Sequence, residues 1–250
     1  MPTCDFATFC HSKDGHRLHA PGQLKLQVES NGYPFNMVYA IHQLCDPFDF
    51  DNPMFDDCGF AIGIYKINDI DQVLRNFEID IDKHQYVSPT DPAHTWKVHT
   101  VNHLAAVLLS KSKADYIVFA DSDCWMINQP AGKNWVQAGI DILSSQPDVF
   151  IVSPNDGEPE RKTQTISQQM FMARVDEFRG MDFNQPGYSG NPRDYPEMPE
   201  YHAMAEGRIH HYCVATGKYR YVLPPEYRYF HHNRLNEDGA YKTNYGDYGL

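Results

Sequence analysis

The run Tyr116-Ile117-Val118-Phe119-Ala120 is followed at once by Asp121-Ser122-Asp123, and no other stretch limits the possible folds as tightly. Consecutive β-branched, aromatic and small apolar residues without polar alternation read as a fully buried central strand. Such a strand has no reason of its own to end in two carboxylates one residue apart. If the chain stays extended, Asp121 and Asp123 share a side. Close carboxylates repel, and a divalent cation relieves that repulsion. Taken alone, the D-x-D is either a metal site or an acidic turn that caps the next segment.

The chain has 250 residues, 42% of them hydrophobic and 13% aromatic. That suits one large domain with an ample core. Its formal net charge of −12 argues against a nucleic-acid partner, which requires a basic stripe. It equally opposes adhesion to an anionic membrane through charge. An acidic protein that handles a phosphorylated ligand needs a cation or local basic residues. The six cysteines form no C-x-x-C pair, so they read as reduced core residues of an intracellular protein. No apolar run approaches the roughly 18 residues of a membrane span, and Met1-Pro2-Thr3-Cys4-Asp5 lacks a signal-peptide plan. The expected location is cytoplasmic, and a peripheral position beside a membrane is compatible with it.

Strands are expected at Asp5–Cys10, Asn36–His42, Phe60–Ile67, Val149–Val152, Ser167–Arg174 and Tyr219–Leu223, with a last extended segment ending at His231-His232. Pro21–Asn31 reads as a weak helix with Leu24 and Val28 four apart, and Ile70–Phe77 as a clear amphipathic one. A stronger helix is expected over Trp96–Ser110, then others carrying Val136, Ile140 and Leu143, starting at Val175, and spanning Glu200–Thr216 up to Gly217. Residues 45–58, 84–96 and 180–199 read as loops, the last of a length that is usually functional. The tail from Asn233 reads as a mobile segment or lid. Strand and helix alternate through the first half and mix in the second, which is an α/β sheet with its ligand at the C-terminal strand ends.

Three constellations could carry chemistry. Asn102 falls within the apolar arc of the Trp96–Ser110 helix, so its amide either braces the sheet or faces a ligand; Lys97 near that helix's start either meets a phosphate or is solvated. Glu206 shares a helix face with His202, Ile209 and Cys213, while Arg208 and His211 are expected to point away; it is either a general base or one half of a salt bridge. His231-His232 closes a strand, and because adjacent residues face opposite ways, one of the two is expected to point into the site. Imidazole with carboxylate is a reasonable ligand set for manganese.

In this order, the parts resemble the GT-A nucleotide-diphospho-sugar glycosyltransferases, in particular the family-2-like group. The likeness rests on Val101-Asn102-His103-Leu104 ahead of Ala120-Asp121-Ser122-Asp123, and on a later acidic helix, Gly217, a strand, prolines and a terminal His. It covers roughly residues 4–232. It implies an α/β, Rossmann-like fold with a mixed central sheet flanked by helices in a single domain. Residues 1–128 would form the nucleotide-sugar half, 129–232 the acceptor half, and 233–250 the tail. It implies Mn²⁺ or Mg²⁺ bound by Asp123, with Asp121 on the ribose or a metal-bound water and His231 or His232 completing the shell. Thr8, His11, Asp14 and His42 would lie near the nucleotide, with Asn102 beside them, and UDP is the nucleotide implied. Glu206 would act as base in an inverting transfer to a hydroxyl of a carbohydrate or glycolipid acceptor. Of the family's acidic pair the first position is Ala205 here, so Glu200 and Glu197 are alternatives for the base. Two other functions are compatible: a sugar-phosphate nucleotidyltransferase, for which His11–Arg17 is a poor triphosphate loop, and a non-catalytic sugar-binding module, which Ala205 favours.

Overall fold

The computed structural model describes residues 2–11, 22–43, 60–66, 75, 76, 78, 85–87, 95–97, 107–122, 124–155, 157, 159–164, 166, 167, 169–182 and 205–231. The first strand, β1 (Cys4–His11), is followed by α1 (Gln23–Glu29), β2 (Val38–Gln43), β3 (Ile62–Lys66), β4 (Gln85–Val87) and β5 (Thr95–Lys97). A single π-helical turn, Val107–Lys111, leads into β6 (Tyr116–Asp121) and β7 (Cys124–Asn128). The second half holds α2 (Trp135–Ser145), β8 (Val149–Ser153), β9 (Arg161–Thr163), β10 (Met170–Arg174), α3 (Val175–Arg179), α4 (Ala205–Thr216), β11 (Tyr219–Val222) and β12 (Arg228–His231).

Eight strands form one mixed sheet in the order β3-β2-β1-β6-β10-β8-β11-β9. β3, β2, β1 and β6 run parallel, β10 runs against both β6 and β8, and β9 runs against β11. β6 lies near the middle, and Ile117 to Ala120 are fully buried, as the unbroken apolar run requires. Alternation sorts its side chains into two cores. Ile117 and Phe119 pack with Ala7, Ile41, Phe171 and Ala173 beneath the π-turn, α3 and α4, contributed by Leu108, Phe178, Ile209 and Cys213. Val118 and Ala120 pack on the other face with Phe6, Val38, Met170 and Met172, covered by Leu24 and Val28 of α1 and by Trp135, Val136, Ile140 and Leu143 of α2. Cys124 and Met126 of β7 and Tyr229 of β12 join this second core. Helices on both faces explain why Ile117–Ala120 of β6 and Val149–Val152 of β8 are apolar without alternation.

The helices end where the sequence allows. Asn134 caps α2, its side chain accepting a hydrogen bond from the Gln137 amide at 2.7 Å. Gly217, with φ of 67°, takes the left-handed conformation that closes α4. One expected helix is corrected. Trp96 and Lys97 do not begin it; they lie in β5, where Trp96 pairs with Tyr86 of β4, so part of the expected 84–96 loop is a two-stranded ribbon. The helical portion in view is confined to Val107–Lys111. Most of Ile70–Phe77, the segment 98–106, the loop 45–58, residues 183–204 and the tail from 232 lie outside the described residues. Among the described residues, no helix is long and apolar enough to cross a membrane.

Candidate functional site

The parallel strands bring their C-terminal ends to one edge of the sheet. Phe9 of β1 pairs with Asp121, the last residue of β6. On the other side of β1, Cys10 pairs with His42 and His11 with Gln43 of β2. His11, His42 and Asp121 therefore cap three adjacent strands at the same end, which in an open α/β sheet is where ligands bind. Asp121 is half-buried, and its amide donates to the Gln169 carbonyl at 2.8 Å.

Beyond Asp121 the chain does not stay extended. Ser122 lies in a turn, and the strand that begins at Cys124 leaves the main sheet to pair with β12. Asp123 itself lies outside the described residues, and with it the expectation that both carboxylates share a strand face. That second ladder brings His231 opposite Cys124, the residue directly after Asp123. Strand β12 is held by two further devices. Asn155, fully buried, donates from Nδ2 to the Leu223 carbonyl at 2.8 Å and its backbone bonds Tyr227 and Tyr229. The Tyr229 hydroxyl donates to Oε1 of Gln169 at 2.8 Å.

The D-x-D turn is also gripped from beneath. Gln27 of α1, 3% exposed, donates from Nε2 to the carbonyls of Asp121 at 2.6 Å and Cys124 at 2.9 Å. The sequence carries a signal for it, a polar residue inside the apolar arc Leu24–Val28, the same signal that singles out Asn102. Thr8 is fully buried in β1, and its hydroxyl has no hydrogen-bond partner among the described residues. A buried hydroxyl without a partner is uncommon.

On the opposite core, Glu206 is the second residue of α4. Ile209 and Cys213 face the core as expected, but Arg208 does not point away. It is 4% exposed, and burial pulls its guanidinium down to about 10, partly offset by the charge of Asp182. With His211, Tyr212, Met181, Asp182 and Ala215 it lines a cleft of about 330 Å³. His210 is also buried and donates from Nδ1 to the Gln164 carbonyl at 2.5 Å. For His11, His42, Glu206 and His231 the backbone alone is described, and Asp14, Asn102, Asp123, His232, Glu197 and Glu200 lie outside the described residues.

Against solved structures, the chain resembles GalNAc-T7 crystallised with UDP, GalNAc and Mn²⁺, with a TM-score of 0.57 and 9% identity over 92% of this chain and 44% of that one. S. aureus TarS 1–349 gives 0.51 at 8% identity, over 92% and 60%. Mouse xyloside xylosyltransferase 1, in its apo form, gives 0.50 at 8% identity, over 88% and 85%. The fold is GT-A. The chain spans less than two thirds of the length of the first two of these GT-A structures. No protein-family model matches the sequence, and no curated protein matches it.

Proposed function

We propose that the chain is a metal-dependent glycosyltransferase that moves a sugar from a nucleoside-diphosphate sugar to a hydroxyl of a glycan or lipid-linked glycan. The observation that carries this reading is the backbone register that sets His231 opposite Cys124, three residues after Asp121 closes β6 at the C-terminal edge of a GT-A sheet. Carboxylate with imidazole is a reasonable ligand set for Mn²⁺, and carboxylates with water for Mg²⁺; the structure of GalNAc-T7, similar in fold, was crystallised with UDP, GalNAc and Mn²⁺.

In this reading Asp123, with Asp121 and one of His231 and His232, holds the cation. When bound, the cation offsets the charge that grows on the departing diphosphate. Thr8, His11, Asp14, His42 and Asn102 surround the base and ribose of the nucleotide, UDP being the first candidate. Residues 1–128 make the donor half and 129–232 the acceptor half, acting in the cytoplasm. Glu206 takes the proton from the acceptor hydroxyl as it attacks, which inverts the anomeric centre; Glu200 and Glu197 are the alternatives.

The test is calorimetric titration of UDP in Mn²⁺ and in EDTA. Binding is expected with Mn²⁺ alone, and Asp123→Ala removes it; an Asp123→Ala protein that binds UDP and Mn²⁺ as tightly as the parent sinks the proposal. Ala205, standing where the family carries its first acid, favours one second reading, a non-catalytic sugar-binding module. Donor hydrolysis by the purified chain separates the two.

A further inference from the structure

We propose that Gln27 is a positioning residue that fixes the backbone at Asp121 and Cys124, on either side of the D-x-D segment's second carboxylate, and through it the affinity of the chain for a divalent cation; this rests on the metal-dependent reading above. The carboxamide has two N–H protons, and Nε2 lies 2.6 Å from the Asp121 carbonyl and 2.9 Å from that of Cys124. One side chain therefore ties the residue that opens the turn to the residue that closes it. At 3% exposure, water cannot take over these bonds.

Gln27 is itself fixed. Its backbone carbonyl accepts from Asn31 Nδ2 at 2.8 Å, and Asn31 Oδ1 accepts from the Trp135 indole at 2.8 Å. Ser30, one turn along α1, accepts from the Met126 amide through Oγ at 3.1 Å. Trp135 is fully buried at the start of α2. The turn is thus referenced to both helices on that face of the sheet, and the reference passes through one amide. Two carboxylates held apart from a cation repel each other, so a turn free to relax would separate them. Partners behind a ligand shell that fix its geometry typically change metal affinity by about 10–100-fold.

The experiment measures Mn²⁺ binding to the full chain by electron paramagnetic resonance of free Mn²⁺, with thermal melts as a check on folding. Gln27→Met keeps the length and apolar volume but removes both donors. It is expected to weaken Mn²⁺ binding by about 10–100-fold. Ser30→Ala, which removes the bonds to the Gln27 backbone carbonyl and the Met126 amide but leaves both Gln27 Nε2 donors in place, is expected to leave Mn²⁺ affinity at the parent's value. Equal affinity in Gln27→Met and the parent, or an equal loss in Ser30→Ala, overturns the role of Gln27 while leaving the metal reading intact. A parent that binds no Mn²⁺ overturns both. If Gln27→Met does not fold, Gln27→Asn serves: it keeps a buried amide, one methylene too short to span both carbonyls, and the same loss is expected of it.

Discussion

Asp5 is a carboxylate in the middle of the fold, 3% exposed, on the same strand that delivers His11 to the site. Burial raises its pKa above the usual carboxylate value, while hydrogen bonds from the Ser112 hydroxyl at 3.0 Å and the Tyr39 hydroxyl at 3.4 Å pull it back in part. The sign of the stability effect follows. Between the ordinary carboxylate pKa and the raised one, the folded chain holds a proton that the unfolded chain has released, so stability falls as pH rises across that window. Asp5→Asn keeps an acceptor for Ser112 and Tyr39 and removes the titration. Urea unfolding of Asp5→Asn is expected to show a flatter stability profile than the parent across that window. Parallel profiles would show that Asp5 is not the group responsible.

At the scale of elements, what the sequence reveals depends on whether the signal is local. β6, α2, β8 and the junction of β10 with α3 were legible because each carries its own period or apolar run. Trp96 was misassigned because the apolar spacing of Val98, Val101 and Ala105 extends a helical pattern back over it, whereas its partner Tyr86 lies ten residues upstream in sequence. β9, Arg161-Lys162-Thr163, has no apolar signal; it is a charged edge strand specified by pairing with β11. The outward expectation for Arg208 assigns only one face of α4 to the core, yet Arg208 is buried and lines a cleft with Met181 and Asp182, which lie 26–27 residues upstream. The strand ends at Asp121 and His231 were legible in the apolar and aromatic runs before them. The grip on Asp121 was not, because Gln27 lies 94 residues from it in sequence. Asn155 makes the same point for β12. Its side chain joins Leu223 to the Gly157 amide, which it accepts at 2.7 Å. Asn155→Ala strands the buried Leu223 carbonyl and is expected to cost about 1–3 kcal/mol, read as a lower urea midpoint. A loss below about 0.5 kcal/mol, the usual range for surface changes, would mean that β12 is held without it.

At the scale of the whole molecule, charge and topology act on the same event. The sheet collects its parallel strand ends at one edge, while the chain as a whole carries a net charge of −12. A nucleoside diphosphate approaching that edge meets a field of its own sign, and the cation reverses the local balance. Nucleotide and metal should therefore stabilise the folded chain together far more than the sum of their separate effects. A ligand at 100 times its dissociation constant adds about 2.7 kcal/mol to the folded state. For a domain of this size each kcal/mol moves the melting temperature by about 2–4 °C, so UDP with Mn²⁺ should raise it by roughly 5–10 °C at that saturation. UDP in EDTA should leave it unchanged, and Mn²⁺ alone should add the smaller part. Because the opposition comes from long-range charge, raising the salt concentration should narrow the gap between UDP with Mn²⁺ and UDP alone. A rise of equal size for UDP in EDTA would show that the nucleotide is held by groups other than the acidic turn, and that the carboxylates at the end of β6 serve the fold alone.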